Sequence, residues 1–182
     1  MVRVKFILLF LFSFPLISHS QVRSLYNVSC GETIFGEPIN LKNYQGKVLL
    51  IVNSASSHSR FPEELNQLRL LLTMYADSGL VVLIFPTNSF GKESKTNLQL
   101  QKTFVQREKI IVAAVAAVTG PTIHSLYDWL ATKEKNGKAA APVKADFQKY
   151  LIDKSGNLVG YFSGTMFPTD STLLHAIESQ FH

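Results

Sequence analysis

Residues 47–65 read KVLLIVNSASSHSRFPEEL. Lys47 to Asn53 is a nearly continuous, branched apolar run without alternation, the pattern of a strand covered on both faces. A serine-rich turn follows, and then a helix begins. Pro62 suits a first helical turn, Glu63 and Glu64 complement the positive helix end, and Leu65, Leu68, Leu72 and Tyr75 share a face before Ser78-Gly79 stops it. His58 stands at the tip of the turn. Alone, an imidazole there is a candidate general base; the plainer reading is a partly exposed polar residue at a helix start.

Working outward, Leu80 to Phe85 repeats the buried-strand pattern, so two strands joined by a helix form a right-handed, parallel βαβ unit. Ser94 to Glu108 is expected to be helical with Leu98, Phe104 and Val105 inward. The run Ile110 to Val118, IIVAAVAAV, reads as a buried strand, and Ile123 to Leu130 as a helix with Trp129 in the core and His124 in a structural role. Lys133 to Lys144 reads as a loop. Tyr150 to Phe162 carries two apolar runs around Asp153-Lys154-Ser155-Gly156-Asn157, a β-hairpin signal, and Ser171 to Phe181 closes as a helix. Asn27 to Asn40, punctuated by Gly31, Gly36 and Pro38, is a turn-rich lead with short hairpin-type strands. Parallel βαβ, antiparallel hairpin and terminal helix give an α/β fold: a thioredoxin-like sandwich, with a central mixed β-sheet and helices on both faces.

The chain has 182 residues, 46% hydrophobic and 17% charged, which suits one globular domain over 21–182. Residues 1–20 place Arg3 and Lys5 before the apolar run Phe6 to Ile17, with Ser18 and Ser20 at the positions of a cleavage site, so a secretory signal peptide is expected. An uncleaved anchor is the weaker reading, because twelve residues span only about 18 Å as helix, against a hydrocarbon core of about 30 Å. Without Arg3 and Lys5 the chain keeps 16 basic against 13 acidic residues, a net +3. Its lysines alternate with glutamates and lack aromatic interleaving, so no nucleic-acid platform is expected; the basic residues read as a solvated face weakly attractive to anions. Cys30 is the single cysteine, which rules out an intrachain disulfide and leaves a free thiol or an intermolecular bridge. The sequon Asn27-Val28-Ser29 makes Asn27 a glycosylation candidate in a secreted chain.

From about Leu41 to Phe181 the residues resemble the glutathione peroxidase family. The blocks LKNYQGKVLLIVN (41–53), FPTNSFG (85–91), VTG with HSLY (118–127) and FQKYLID (147–153) follow in the family's order, the first looking like its first core strand. The resemblance implies a peroxidatic cysteine or selenocysteine after Asn53-Ser54-Ala55-Ser56-Ser57, where this chain has His58. It implies a glutamine where Ser89 stands, a tryptophan and asparagine where Ala145 and Asp146 stand, and commonly a cysteine where Thr87 stands. All four tetrad positions differ.

Reduction of a hydroperoxide needs a polarisable thiolate or selenolate that attacks the O–O bond and keeps the oxygen. Imidazole does not substitute for it. Ala145 offers no donor, and Asp146 adds a charge that repels a thiolate. The sequence is therefore read as a secreted, extracellular, monomeric pseudoenzyme that has no cofactor and binds an unidentified extracellular partner. The alternative is a weak extracellular peroxidase of the oxidative-stress type, using Cys30 or an unrecognised reductant, with glutathione and hydroperoxide as its substrates. Two lesser readings are a Ser89-His58-Asp146 triad, given by composition alone, and a divalent metal on His58 and Asp146.

Overall fold

The computed structural model describes residues 24–104 and 109–182. The signal-peptide reading of residues 1–20 and the inward placement of Val105 lie outside these residues.

Among the described residues five strands form one sheet: β1 Val48–Ser54, β2 Leu80–Pro86, β3 Ile110–Val112, β4 Lys149–Ile152 and β5 Leu158–Phe162. Their order is β3-β2-β1-β4-β5. β1 runs parallel to β2, and β2 to β3, whereas β4 is antiparallel to both β1 and β5. The mixed sheet expected from the sequence is therefore present. Side chains alternate across a strand, so β1 feeds two cores. Leu49 and Ile51 pack with Leu126, Tyr127, Trp129 and Leu130 of α3 (Ser125–Ala131) on one face. Val48, Leu50 and Val52 pack on the other with Leu65, Leu68, Leu71 and Leu72 of α1 (Phe61–Tyr75) and with Leu173 and Ile177 of α5 (Ser171–Glu178). At about 1.5–3 kcal/mol for each buried leucine, the four of α1 hold that helix against the sheet.

Several expected boundaries need correction. Among the described residues, the helix expected over Ser94 to Glu108 is α2, Asn97–Gln101, opened by a capping box of Thr96 and Gln99; Leu98 is 68% exposed, whereas Phe104 is buried. The strand over Ile110 to Val118 ends at Val112, because the chain then turns to the lead, with Ala113 bridging to Thr33 and Ala114 N donating to Glu32 O, before Ala116 N returns to Pro86 O. The loop over Lys133 to Lys144 contains a one-turn helix, α4, Lys133–Asn136, closed by Gly137 at φ 74°. The Leu41 block does not begin as strand: Leu41–Tyr44 is a 3-10 turn capped by Asn40. The lead forms a 3-10 turn at Leu25–Asn27, and its expected hairpin-type pairing is present in minimal form: Glu32 bridges antiparallel to Pro38, Thr33 N donates to Glu37 O and Ile39 N to Gly31 O, and Thr33 also bridges to Ala113. Glu63 and Glu64 lie in the first turn of α1 as expected, and Glu64 is in addition buried.

Candidate functional site

The turn between β1 and α1 is built by hydrogen bonds that fix His58. Its backbone N–H donates to Ala55 O (3.1 Å), its carbonyl accepts from Phe61 N (2.9 Å), and its Nδ1 accepts from Arg60 N (3.1 Å). With the Nδ1 lone pair occupied, the proton of the neutral ring sits on Nε2, which becomes a donor. The ring lies edge-on to Phe147, with centroids 5.1 Å apart. Glu93, 3% exposed, ties this turn to the loop after β2 by accepting from Ser56 N (2.7 Å), Ser56 Oγ (2.8 Å) and Lys95 N (2.9 Å).

Residues 145–147 meet the end of β1 across 92 residues of chain, where Asn53 Nδ2 donates to Ala145 O (3.0 Å). Phe147 N donates to Asn53 O (2.9 Å), and Phe147 takes φ 65°. A left-handed conformation costs a side-chain-bearing residue about 1–2 kcal/mol, which these bonds and the ring contact offset. Asp146 is 8% exposed, and its Oδ1 has no hydrogen-bond partner. Burial pushes its carboxyl above the usual range; the neighbouring His58 and Lys92 oppose the rise, and Glu93 adds to it.

His58, Ala145 and Asp146 line one cleft of about 320 Å³ together with Arg60, Lys92 and Lys144. Ser89 is not among its walls. Its Oγ accepts from Thr87 Oγ1 (2.9 Å) and from Val118 N (3.1 Å), which commits the hydroxyl to the loop after β3. The triad reading fails on this geometry, because a relay needs Nδ1–H to donate to the aspartate and Nε2 to accept from the serine. Here Nδ1 accepts, and Ser89 lies elsewhere. The metal reading loses its imidazole ligand for the same reason: Nε2 carries the proton. No three His, Cys, Asp or Glu side chains gather as a metal site among the described residues.

Beneath the cleft lies a charged network that the sequence reading missed. Arg60 donates to Gly164 O (2.9 Å) and to Glu64 Oε1 (2.5 Å), and stacks over Phe167 at 4.3 Å. Lys149, fully buried, donates to Phe147 O and Met166 O (both 2.7 Å) and pairs with Glu64 Oε2 at 3.2 Å. Burial raises the Glu64 carboxyl and lowers the Lys149 ammonium to about 8, each partner opposing the other's shift. One signal was available: Lys149 stands directly before the apolar run Tyr150-Leu151-Ile152 of β4.

Cys30 lies in the core on the α3 side, 2% exposed, and burial pushes its thiol up to about 12. At neutral pH it holds a negligible fraction of thiolate, so it is not a nucleophile. His124 caps α3, its Nδ1 accepting from Leu126 N (3.2 Å), which gives it the structural role expected. Asn27 is exposed at the end of its 3-10 turn.

Residues 25–131, more than half of the chain, match the sequence profile described as "Glutathione peroxidase". This chain belongs to the glutathione peroxidase family. It is 36% identical over 138 residues to "Glutathione peroxidase 2" of Caenorhabditis elegans, covering 74% of this chain and 84% of that one. The crystal structure of apo Trgpx superposes with a TM-score of 0.66 at 27% identity, over 88% of this chain and 97% of that one. A thioredoxin family thiol:disulfide interchange protein of Chlorobium tepidum TLS, at 16% identity and TM-score 0.61, covers 89% of this chain and 99% of its own; it shares the fold. The thioredoxin-like sandwich read from the sequence is thus the fold of this glutathione peroxidase family member. Its cleft holds a hydrogen-bond donor, two lysines, an arginine and a desolvated carboxyl, a set suited to holding a polar ligand.

Proposed function

We propose that this glutathione peroxidase family chain is a secreted binding protein without peroxidase turnover, with His58 at the position of the peroxidatic residue. The observation that carries this reading is the state of the two groups that could serve as nucleophile. His58 has Nδ1 engaged and brings no sulfur, and Cys30, the single cysteine, is buried with its thiol at about 12. Peroxide reduction requires an accessible, oxidisable anion, and neither residue supplies one. Asp146 beside His58 is also unsuited to stabilising a thiolate.

The test is a coupled assay of the pure mature protein with glutathione and with hydrogen peroxide or an organic hydroperoxide. The expected rate equals that of a Cys30→Ala control. Turnover clearly above that control would establish the weak-peroxidase reading instead. Secretion is supported by the leader composition and by the exposure of Asn27 in its sequon. Expression in a secretory cell is expected to release a chain beginning at Gln21. An amidase-sensitive mass shift is expected, and Asn27→Gln abolishes it. Gel filtration is expected to give a monomer, and a pull-down from the extracellular fluid tests for a protein partner.

A further inference from the structure

We propose that the cleft formed by His58, Arg60, Lys92, Lys144 and Asp146 binds a tetrahedral oxyanion that still carries a proton, namely inorganic phosphate or a phosphomonoester, and rejects sulfate and phosphodiesters. This rests on the reading of the chain as a binding protein and names the ligand class of the same site.

Two unpaired buried atoms belong to residues of this one cleft, and they are complementary. Asp146, 8% exposed, has an Oδ1 acceptor without a donor, and Arg60 Nε is a donor without an acceptor; both atoms are shielded from solvent, so a ligand meets these two groups through the edges that line the cleft. The same cleft is lined by His58, whose engaged Nδ1 leaves Nε2–H as the donor, and by Lys92 and Lys144. The positive end of α1, a fifteen-residue helix whose N-cap makes no side-chain hydrogen bond, opens at the same place. Glu93, the other acidic group sensed by Asp146, has its carboxylate occupied by Ser56 and Lys95.

A simple cation is repelled by Arg60, Lys92 and Lys144. A fully deprotonated anion meets the same lysines favourably but is repelled by Asp146. The ligand that satisfies both sides accepts several hydrogen bonds and donates one. Inorganic phosphate keeps a P–OH proton near neutral pH, and a monoester, whose second pKa is about 6, keeps one in its monoanion; either form shares that proton with the carboxylate. Sulfate and phosphodiesters have none, so they leave Asp146 unpaired against a negative oxygen. The cleft, at about 320 Å³, has room for the phosphoryl group and a small substituent.

The experiment is titration calorimetry of the mature protein with phosphate, phenyl phosphate, sulfate and dimethyl phosphate at constant ionic strength, with the ring nitrogens of His58 followed by NMR. Phosphate and phenyl phosphate are expected to bind saturably and shift Nε2, with sulfate and dimethyl phosphate at least about tenfold weaker. Tighter phenyl phosphate than phosphate identifies a phosphorylated molecule as the natural ligand, and the reverse identifies free phosphate. Asp146→Asn is expected to bring sulfate to parity with phosphate, since an amide donates where a carboxylate repels. A Lys92→Ala/Lys144→Ala double variant, altered only at exposed side chains, is expected to lose about tenfold in phosphate affinity with unchanged thermal unfolding. Equal affinity for sulfate and phosphate in the unaltered protein overturns the proposal, as does the absence of saturable phosphate binding in the millimolar range. A parallel peroxidase assay keeps the two readings apart: turnover overturns the pseudoenzyme reading whatever the titration gives, and absent binding without turnover overturns only this one.

Discussion

At the scale of single residues, the informative group is Asp146. Its folded-state pKa is raised by burial, so its ionised form is disfavoured in the fold relative to the unfolded chain. The contribution it makes to stability is therefore present below the unfolded carboxyl pKa, about 4, and is lost as pH rises through the folded value. Asp146→Asn is expected to stabilise the protein at pH 7, with the gain vanishing below about pH 4. Urea unfolding at both pH values checks this, and a variant less stable at pH 7 would refute it. His58, Ala145 and Asp146 were legible as a set, because the resemblance put all three on one site, and the fold brings them to one cleft. Ser89 was placed with them and is not there, because its hydroxyl finds Thr87 and Val118 instead. Arg60, Lys92 and Lys144 went unassigned as cleft residues, since a basic side chain in a turn looks the same in sequence whether it faces water or a cleft.

At the scale of elements, α1 and β4 are joined by the buried Glu64–Lys149 pair, which Arg60 extends to the carbonyls of Gly164 and Thr165. A buried pair costs desolvation of both ions, and removing one partner strands the other. Lys149→Met is expected to cost about 3–5 kcal/mol, and Glu64→Leu combined with Lys149→Met to recover most of that. A double-mutant cycle by denaturant unfolding measures the coupling; additive losses would show that the pair does not act as a unit. The segment after β5 packs closely on the cleft, since a Cβ on Gly164 would fall 2.0 Å from Asp146 O. Gly164→Ala is expected to destabilise by about 3 kcal/mol and to displace residues 163–167, seen as lost amide-exchange protection. Unchanged stability would refute the close approach. Elements with a strong apolar pattern were legible: β1 and β2 as continuous runs, the hairpin by its turn, and α1 and α5 by their helical spacing. The Ser94 to Glu108 helix was overextended because Leu98 fits a helical face by spacing yet finds no partner, whereas Phe104 is buried without being part of a helix.

At the scale of the whole molecule, one sheet separates two apolar layers, and each chemistry-bearing group takes its character from its depth in that arrangement. Cys30 is expected to be inert to a thiol-specific disulfide reagent in the native protein and to react as one equivalent in denaturant. Native-state reaction at the denatured rate would contradict its burial. By itself the sequence determined the succession of strands and helices, the mixed sheet and the lack of a cysteine at the turn after β1. Those follow from side-chain periodicity and residue identity, which are local. Only the tertiary structure decided that residues 145–147 close on Asn53, that Ser89 turns away, that Glu64 and Lys149 are buried together, and that Asp146 is left unpaired beside three basic groups. Each of these depends on which distant segments exclude water from a charge, and the free energy of a charge is set by that exclusion rather than by its neighbours along the chain.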